Sequence, residues 1–387
     1  MPRGPKIMLV AGEASGDHHA AALAGALKRL AKGVRLYGLG GREMAKAGVR
    51  VDLDLASKGV IGLVEVLRHA GYFRRAFAQA LGLLKSERPD LLVLVDYPGF
   101  NLRLAKAAHG LGIPVCYYVS PQVWAWKRGR VKTMARILRK MLVTFPFEKP
   151  IYDAAGLDCV FVGNPLVDAL PRAAKGAAGR RALGLKGGGP WVGLLPGSRE
   201  QEVRWLLPVM LESARHMALA KPQARFVVVK PQHAPLAWYA PLAKAREQGL
   251  ALRLESRPQA SAYRLRAAMD LALVASGTAT LETAMLGTPF LILYRLHPLT
   301  YAIGKLLVKI HSIGLANVVA GRRAVPEFLQ GALKPEAIAA AGLKLLDYRR
   351  ERQAQLSAMA NAVRTLGKPG VAKRAAREVL NLLGKPG

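Results

Sequence analysis

Acidic residues, cysteine and aromatic residues are scarce in this chain. Of its 387 residues, 25 are Asp or Glu and 58 are Lys or Arg, which gives a formal net charge of +33. Both cysteines, Cys116 and Cys159, lie within apolar runs. This pattern does not indicate a disulfide framework or a cysteine-based zinc site, and a reducing compartment is the simplest setting.

Long apolar segments and several catalytic motifs are absent as well. No run reaches the ~18 apolar residues of a spanning helix, and the apolar stretch near the first residue is too short for a signal peptide. We therefore expect a protein that is soluble or that lies on a membrane without crossing it. The sequence has no HExxH, CxxC, GxGxxG, GxSxG or Walker lysine motif, so no metal, cofactor or dinucleotide site is expected.

What is present is enough apolar sequence for two or three domains with buried cores, since 51% of the residues are hydrophobic. Disorder is therefore not expected as the main state. The excess of positive charge runs through the whole chain and indicates an anionic partner. Nucleic acid, anionic lipid headgroups and phosphorylated substrates all satisfy that requirement.

Short apolar runs alternate with amphipathic helical patterns in two blocks. The first block has predicted strands at residues 6–12, 35–40, 91–96, 115–119 and 141–145, and the second at 191–195, 226–230, 250–255, 271–275 and 290–294. Strands that are apolar on both faces are typical of parallel sheets covered by helices on each side. The pattern predicts an α/β fold of two Rossmann-like, doubly wound domains that face a central cleft.

The connecting and terminal segments set the expected boundaries. Residues 171–190 are basic, Gly-rich and poor in large apolar side chains, which indicates a domain connection. Residues 336–383 are helical by pattern, with a break at 367–370. We expect domains at 1–170 and 171–345, followed by C-terminal helices at 346–387 that pack either on the first domain or on a partner subunit.

Two predicted strand ends in the first block carry candidate site residues. The first strand leads into Glu13, Ser15, Gly16 and Asp17, a turn whose N–H groups could receive an anion at a helix N-terminus; a plain N-cap by Ser15 or Asp17 is the alternative. Asp96 ends the third strand, where partial desolvation suits a general base, although a turn or cap role explains the position too.

Further candidates follow later strands. Residues 120–127 join two tryptophans to a basic cluster, which fits a sugar and a phosphate or simply a packed loop. The Gly-Ser backbone at residues 197–198 and the guanidinium of Arg199 suit a phosphate or diphosphate, with Ser198 and Arg199 as the candidates. Residues 276–280 combine small side chains with a helix start that leaves N–H donors free, and Glu282 is placed to accept hydrogen bonds from ribose hydroxyls.

Residues 60–84 combine apolar side chains with arginines, as a peripheral membrane contact would. The alternative is an ordinary amphipathic helix facing the core. The candidates for membrane or acyl-chain contact are Ile61, Val66, Leu67, Phe73 and Phe77.

Seven stretches, in order along the chain, resemble the lipid-A-disaccharide synthase family. They are AGEASGD (11–17), VDYPGFN (95–101), YYVSPQVWAWKRGRVK (117–132), TFPFEKPIYD (144–153), LLPGSREQEV (194–203), ASGTATLE (275–282) and NVVAGRRAVPEFLQ (317–330). The resemblance implies a GT-B inverting glycosyltransferase whose amino half takes the acceptor and whose carboxyl half takes the donor. It implies transfer from UDP-2,3-diacylglucosamine to 2,3-diacylglucosamine 1-phosphate, which gives a β(1→6)-linked disaccharide and UDP.

The resemblance also implies site residues. Asp96 and Arg199 fall on the positions that the family treats as essential. The expected donor residues are Ser198, Arg199, Ser276, Gly277, Thr278, Ala279, Thr280, Glu282 and Asn317, and the expected acceptor residues are Glu13, Ser15, Gly16, Asp17, Asn101, Ser120, Gln122 and Trp124. The chain departs from the family at Gly99, where many members have a second Asp, and at Asn164, where members often have His.

The implied setting is the inner face of the cytoplasmic membrane, as a cytoplasmic peripheral protein on an anionic surface, with a homodimer possible and no nucleic acid as partner. Two other readings stay open. A peptidoglycan-type UDP-N-acetylglucosamine transferase to a lipid acceptor would share the fold, and a basic nucleic-acid-binding protein would share the charge.

Overall fold

The computed structural model describes residues 4–56, 70–124, 129–171, 173–296 and 312–384. It consists of two compact units. Unit 1 comprises Met1–Asp168 and Leu366–Gly387, and unit 2 comprises Ala169–Thr365. The expected domains were 1–170 and 171–345, with C-terminal helices at 346–387. These differ from the two units chiefly in the tail, which belongs to unit 2 up to Thr365 and to unit 1 from Leu366.

Unit 1 contains a parallel sheet of seven strands in the order β3-β2-β1-β4-β5-β6-β7. The strands are β1 Lys6–Ala11, β2 Arg35–Gly40, β3 Arg50–Asp54, β4 Leu91–Val95, β5 Val115–Tyr118, β6 Lys140–Val143 and β7 Cys159–Phe161. The five strands predicted in this half are confirmed. The sequence patterns missed β3 and β7, which are the two edge strands and are only partly buried.

Helices lie between the strands of unit 1. They are α1 Ala14–Leu30, α2 Arg42–Lys46, α3 Ala70–Glu87, α4 Pro98–Gly110, α5 Arg130–Ile137, α6 Lys149–Asp153 and α7 Leu166–Ala169, with a 3₁₀ turn at Pro146–Glu148. Successive side chains of β4 enter opposite layers of the core. Leu92 and Leu94 pack in one layer, and Leu91 and Val93 pack in the other. Because both faces of the strand are covered, its sequence is apolar without interruption.

Unit 2 repeats the plan with six parallel strands in the order β10-β9-β8-β11-β12-β13. They are β8 Trp191–Leu195, β9 Arg225–Val229, β10 Leu252–Glu255, β11 Leu271–Ala275, β12 Phe290–Tyr294 and β13 Glu327–Leu329. The helices are α8 Gly176–Ala182, α9 Glu200–Ala220, α10 Pro241–Glu247, α11 Gln259–Ala267, α12 Thr278–Leu286, α13 Leu315–Ala320, α14 Pro335–Asp347 and α15 Arg349–Arg364. 3₁₀ turns lie at Leu236–Tyr239 and Gln330–Ala332.

The last helix, α16 (Val371–Leu383), returns to unit 1 and packs on α1. Its apolar face is buried in the same layer as that helix. Asp168 accepts hydrogen bonds from the N–H groups of Gly370 (2.7 Å) and Val371 (2.8 Å), and so caps α16. Lys140 on β6 reaches Glu378 at 2.7 Å and ties the helix to the sheet. No helix among the described residues is long and apolar enough to cross a membrane.

Candidate functional site

Each sheet has one point where the strand order reverses, and several of the predicted site residues lie there. In unit 1 the reversal lies between β1 and β4, and in unit 2 between β8 and β11. Ligands of open α/β sheets bind at the carboxyl ends of the strands at this switch point. The turn after β1 and Asp96 after β4 share the first edge, while Arg199 after β8 and Gly277 after β11 share the second.

Asp96 begins a left-handed turn between β4 and α4. Asp96 and Tyr97 have φ angles of +50° and +51°, a conformation that costs non-glycine residues about 1–2 kcal/mol each. The buried Asn101 side chain holds the turn through its Nδ2, which donates to the carbonyls of Val95 (3.2 Å) and Asp96 (2.7 Å). The Tyr117 hydroxyl donates to the same Asp96 carbonyl at 2.5 Å.

The electrostatics of this turn suit a base. Burial raises the pKa of the Asp96 carboxyl, and the Tyr97 N–H opposes the increase only in part. A carboxylate with a raised pKa binds a transferred proton more tightly, which brings it closer to the strength that general-base catalysis at neutral pH requires. Because Asn101 forms its hydrogen bonds with main-chain carbonyls of the turn, it positions Asp96.

The turn after β1 lies against Tyr97. A Cβ atom added to Gly12 would come within 2.0 Å of the Tyr97 ring, so glycine is required for this close approach. Burial first, and then the Glu13 carboxylate, raise the pKa of the Tyr97 hydroxyl to about 12. Glu13 therefore lies on the same side of the sheet as the Asp96 turn. Ser15 is exposed in the first turn of α1.

Gly16 and Asp17 contribute to the packing of α1 against its neighbours in unit 1. A Cβ at Gly16 would lie 3.5 Å from the Val95 carbonyl, so α1 runs close to the strands here. Asp17 is 4% exposed. Its carboxylate accepts hydrogen bonds from the N–H groups of Gly41, Glu43 and Met44 at the start of α2. The expectation of an acceptor contact by Asp17 is therefore corrected, because its carboxylate is buried against the N-terminus of α2.

Phe73 and Phe77 on α3 pack against α4. Phe73 lies 6.5 Å from the Tyr97 ring, and Phe77 meets Phe100 edge to face at 5.7 Å between ring centroids. Both rings are half-buried in the aromatic layer beside the Asp96 turn, as in an amphipathic helix facing the core, and their contact with membrane or acyl chains stays a prediction. Ile61, Val66 and Leu67 lie outside the described residues.

The loop after β5 contains three predicted acceptor residues. Ser120 is buried and donates a 2.6 Å hydrogen bond to Glu148 Oε1. Trp124 packs edge to face on Phe147, with 5.5 Å between ring centroids. Gln122 is exposed. Sequence reasoning missed Glu148, although it follows a buried strand closely, as Asp96 does.

In unit 2, the β8–α9 turn presents a cation. The Arg199 side chain is 61% exposed and lies 3.7 Å from Glu202. Glu202 Oε2 accepts the N–H groups of Ser198 (3.0 Å) and Arg199 (3.4 Å). The expectation that the backbone of this turn holds a diphosphate is thereby corrected, because Glu202 already binds these N–H groups; the Arg199 guanidinium and the exposed Ser198 remain accessible.

The β11–α12 turn is open where a ligand would approach. Gly277 has a φ of +141°, which excludes other residues, and a Cβ there would meet nothing within 4 Å. Gly277 and Thr278 are exposed and Ala279 is half-buried, and the first N–H groups of a helix have no partner within it. Ser276 Oγ donates to the Ile313 carbonyl at 3.1 Å.

Thr280 and Asn317 are interior residues of unit 2. Thr280 is fully buried, and both its N–H and its hydroxyl donate to the Gly277 carbonyl. Asn317 is 1% exposed. Its Nδ2 donates to Val325 and Glu327, while its Oδ1 accepts from the N–H groups of Ala324 and Val325. The expected donor contacts of Thr280 and Asn317 are corrected on this ground: their polar groups already hold the protein together.

Glu282 is held by side chains of α11. Its Oε2 accepts from Arg266 at 2.7 Å and its Oε1 accepts from the Tyr263 hydroxyl at 3.1 Å. Arg266 also donates to the Ala279 carbonyl and the Thr283 hydroxyl, so it spans the first turn of α12. Each carboxylate oxygen accepts two hydrogen bonds or more, so Glu282 retains the capacity to accept from a ligand.

Within the described ranges, no group of three or more His, Cys, Asp or Glu side chains is placed to hold a metal ion. The groups available for chemistry are a half-buried carboxylate on a strained turn in unit 1, and a cation, a helix start and an oriented carboxylate in unit 2. These are the groups that a transfer reaction with an anionic leaving group needs.

Comparison with known proteins agrees with this reading. Residues 7–380 match the lipid-A-disaccharide synthetase family. The chain is 43% identical over 383 residues to the lipid-A-disaccharide synthase of Syntrophus aciditrophicus and 41% identical over 380 residues to that of Geobacter sulfurreducens, with 98% of both chains covered in each case.

Solved structures share the two-unit architecture. The UDP-GlcNAc 2-epimerase of Neisseria meningitidis, bound to UDP-GlcNAc, aligns with a TM-score of 0.64 at 14% identity and covers 97% of this chain and 100% of that one. At this identity the likeness concerns the fold, which is the GT-B arrangement of two Rossmann-like sheets. From its matched length and its relatives, the chain belongs to the lipid-A-disaccharide synthase family and is a glycosyltransferase of lipid A biosynthesis.

Proposed function

We propose that the protein transfers a 2,3-diacylglucosaminyl group from its UDP donor to 2,3-diacylglucosamine 1-phosphate, with inversion, to give the β(1→6) disaccharide 1-phosphate and UDP. Unit 1 takes the acceptor and unit 2 takes the donor. The observation that carries the proposal is the half-buried Asp96 carboxyl, whose pKa is raised by burial, on its strained turn at the switch point of unit 1. The family match supports the choice of substrates.

In the proposed step the Asp96 carboxylate accepts the proton of the acceptor 6-hydroxyl. The hydroxyl oxygen forms a bond to the anomeric carbon of the donor as the bond from that carbon to the diphosphate oxygen breaks. One displacement inverts the configuration at this carbon. The left-handed turn fixes the Asp96 backbone in advance, so little reorganisation accompanies the proton transfer.

The leaving diphosphate needs positive charge and hydrogen-bond donors. The Arg199 guanidinium supplies the charge, and the N–H groups at Gly277, Thr278 and Ala279 supply donors at the start of α12. Removing one such donor typically costs about 3–4 kcal/mol at a transition state. Glu282, oriented by Arg266 and Tyr263, accepts hydrogen bonds from the ribose hydroxyls.

The membrane part of the proposal rests on charge. The formal net charge of +33 favours an anionic surface. On α3, Arg74 and Arg75 are exposed on the helix whose phenylalanines pack inward beside the Asp96 turn. We propose peripheral binding to the inner face of the cytoplasmic membrane, where both acylated substrates are held.

The direct test is incubation with the two acylated substrates and mass spectrometry of the product. We expect a disaccharide 1-phosphate and one UDP for each disaccharide formed. Unacylated UDP-N-acetylglucosamine serves as the comparison donor. Transfer of that sugar to a polyprenyl-linked acceptor, with no turnover of the acylated pair, would favour the peptidoglycan-type alternative; salt-sensitive binding of an oligonucleotide without any sugar transfer would favour a nucleic-acid-binding protein.

A further inference from the structure

Glu148 is a buried carboxyl at the carboxyl end of the same sheet as the Asp96 turn. It ends the 3₁₀ turn after β6, next to the loop that follows β5, and is 2% exposed. Its Oε1 accepts the Ser120 hydroxyl at 2.6 Å and its Oε2 accepts the Phe145 N–H at 3.0 Å. A length of 2.6 Å is typical of a hydroxyl donating to a charged carboxylate.

The loop that Glu148 holds is under conformational strain. Val119 has a φ of +63°, which is costly for a β-branched residue. Three side chains outside the loop fix its course. Glu148 binds Ser120, the Tyr152 hydroxyl donates to the Pro121 carbonyl at 3.5 Å, and Phe147 packs on Trp124.

The same loop is connected to the catalytic turn. The strand before it, β5, pairs with β4, and the Asp96 N–H donates to the Tyr118 carbonyl at 3.0 Å. Tyr117 on β5 also donates to the Asp96 carbonyl. A change in the position of residues 119–124 therefore affects the side of the acceptor site that adjoins Asp96.

We propose that Glu148 is a positioning residue for acceptor binding, which in its charged form accepts the Ser120 hydroxyl and holds the loop at 119–124 in the conformation that binds the acceptor. This inference rests on the proposed function. When Glu148 takes up a proton, its O–H becomes the donor to Ser120 Oγ. The Ser120 hydroxyl must then turn away, toward the Pro121 carbonyl, which lies 3.4 Å from it.

The surroundings place this change near neutral pH. Burial raises the pKa of Glu148 to about 7, although the Ser120 hydroxyl, the N–H groups of Phe145 and Thr144, and the Trp124 indole favour the charged form. The Tyr152 hydroxyl on α6 and the Cys159 thiol on β7 face the same carboxyl. Burial, with the Glu148 charge as a smaller cause, raises the pKa of both, so neither titrates near pH 7.

The test compares wild type with Glu148→Gln between pH 5.5 and 8.5, by measuring kcat and the KM of each substrate. For wild type we expect the acceptor KM to fall about tenfold as the pH rises through 7, the size of effect given by one charge-assisted hydrogen bond. Glu148→Gln should keep the high acceptor KM at every pH, with the donor KM unchanged. The acceptor phosphate titrates near pH 6 in both enzymes, so the ratio of the two KM values isolates Glu148.

Two further variants separate positioning from general damage. Ser120→Ala should raise the acceptor KM about as much as Glu148→Gln, and the double variant should be no worse than either single one. Glu378→Gln, which removes the partner of Lys140 on the far helix α16 of the same unit, is the matched control and should leave the acceptor KM profile unchanged.

The outcomes are distinct. The inference would be overturned if the acceptor KM of Glu148→Gln showed the same inflection with pH as that of wild type. It would also be overturned if the effects of the Ser120 and Glu148 variants were additive. Neither result would affect the transferase assignment. A wild-type protein that forms no disaccharide from the acylated pair would instead contradict the proposed function. If Glu148→Gln does not fold, Ser120→Ala alone tests the inference. An acceptor KM that inflects with pH in Ser120→Ala as it does in wild type would exclude the Ser120–Glu148 contact as the cause.

Discussion

Four carboxylates that follow parallel strands have different surroundings in the two units. In unit 1, Asp96 is half-buried and Glu148 is buried, each among neutral donors, and burial raises the pKa of both. At the edge of unit 2, Glu202 lies at a helix N-terminus and Glu282 lies against Arg266. Carboxyls of the first kind bind a proton more tightly than usual, while those of the second kind orient neighbouring groups.

The different surroundings of these carboxylates follow from what each unit has to bind in the proposed reaction. An acceptor hydroxyl has to lose a proton, which requires a base of raised pKa. A nucleoside diphosphate leaves with negative charge, which requires cations and N–H donors already in place. The described structure supplies the first in unit 1 and the second in unit 2.

The largest effect is expected from removing the base in unit 1. Asp96→Asn keeps the shape of the side chain but cannot accept the proton, so kcat should fall about 10³-fold, within the usual range for general bases. UDP affinity should stay within twofold, because the change lies outside unit 2. Steady-state kinetics and calorimetric titration with UDP measure the two effects. Near-normal turnover would exclude Asp96 as the base.

The corresponding change in unit 2 should weaken nucleotide binding and turnover together. Arg199→Ala removes the exposed cation of the β8–α9 turn, and kcat/KM should fall about 10²–10³-fold with a weaker affinity for UDP. Arg204→Ala, at an exposed position of the same helix, is the matched control and should change neither quantity by more than about twofold. Equal UDP affinity in Arg199→Ala and wild type would contradict the assignment.

The raised pKa of Glu148 predicts a pH dependence of stability. The folded state holds the proton up to about pH 7 and the unfolded state up to about pH 4.5. Its contribution is therefore complete below pH 4.5 and is lost as the pH rises through 7, which amounts to about 3 kcal/mol of the free energy of unfolding.

His19, whose pKa is lowered to about 4 by burial and then by His18, acts in the opposite direction over much of this range. The measurement is therefore a difference. Urea titrations should show Glu148→Gln gaining stability relative to wild type between pH 4.5 and 7. A difference that does not change with pH would mean that Glu148 ionises normally.

A smaller effect should separate ribose recognition from phosphate binding. Arg266→Met removes the cation that orients Glu282, so UDP affinity should fall about tenfold, as expected when a buried charged partner is lost. The loss should be absent for a 2′,3′-dideoxy analogue of UDP, which presents no ribose hydroxyls to Glu282. An equal loss for both nucleotides would show that Arg266 acts through the phosphate site or through folding.

The smallest effect concerns the tail. Asp168→Ala removes the cap of α16, and the free energy of unfolding should fall by about 1 kcal/mol with catalysis unchanged. Thermal melting detects a change of this size. Asp153→Ala, which breaks an exposed ion pair with Lys149, should change the stability by less.

Sequence reasoning was most accurate for the central strands and for the residues that end them. The runs that became β4 and β11 are apolar on both faces, and the positions of Asp96 and Gly277 follow from where those runs end. The edge strands β3, β7 and β13 were missed because they are mostly half-buried or exposed, and β7 and β13 have only three residues each. Their formation depends on a neighbouring strand.

Residues whose partners lie far along the chain could not be assigned from a local pattern. Asp17 binds N–H groups 24 to 27 residues away, and Glu148 binds a hydroxyl 28 residues away. Arg266 and Glu282 come from different helices, although they are 16 residues apart. A motif shows that a carboxylate is present, but it does not show whether that carboxylate is exposed, buried or already paired.

The sequence by itself determined the two alternating blocks, the parallel sheets and the order of the family motifs, because strand and helix periods are local properties of the chain. Only the tertiary structure decided which carboxylates are removed from water without a cation as partner, and which accept hydrogen bonds at a helix N-terminus. Hydrogen-bond partners and desolvation are fixed when distant segments pack together, and these two factors set the pKa of Asp96, the capping role of Asp17 and the hold of Glu148 on its loop.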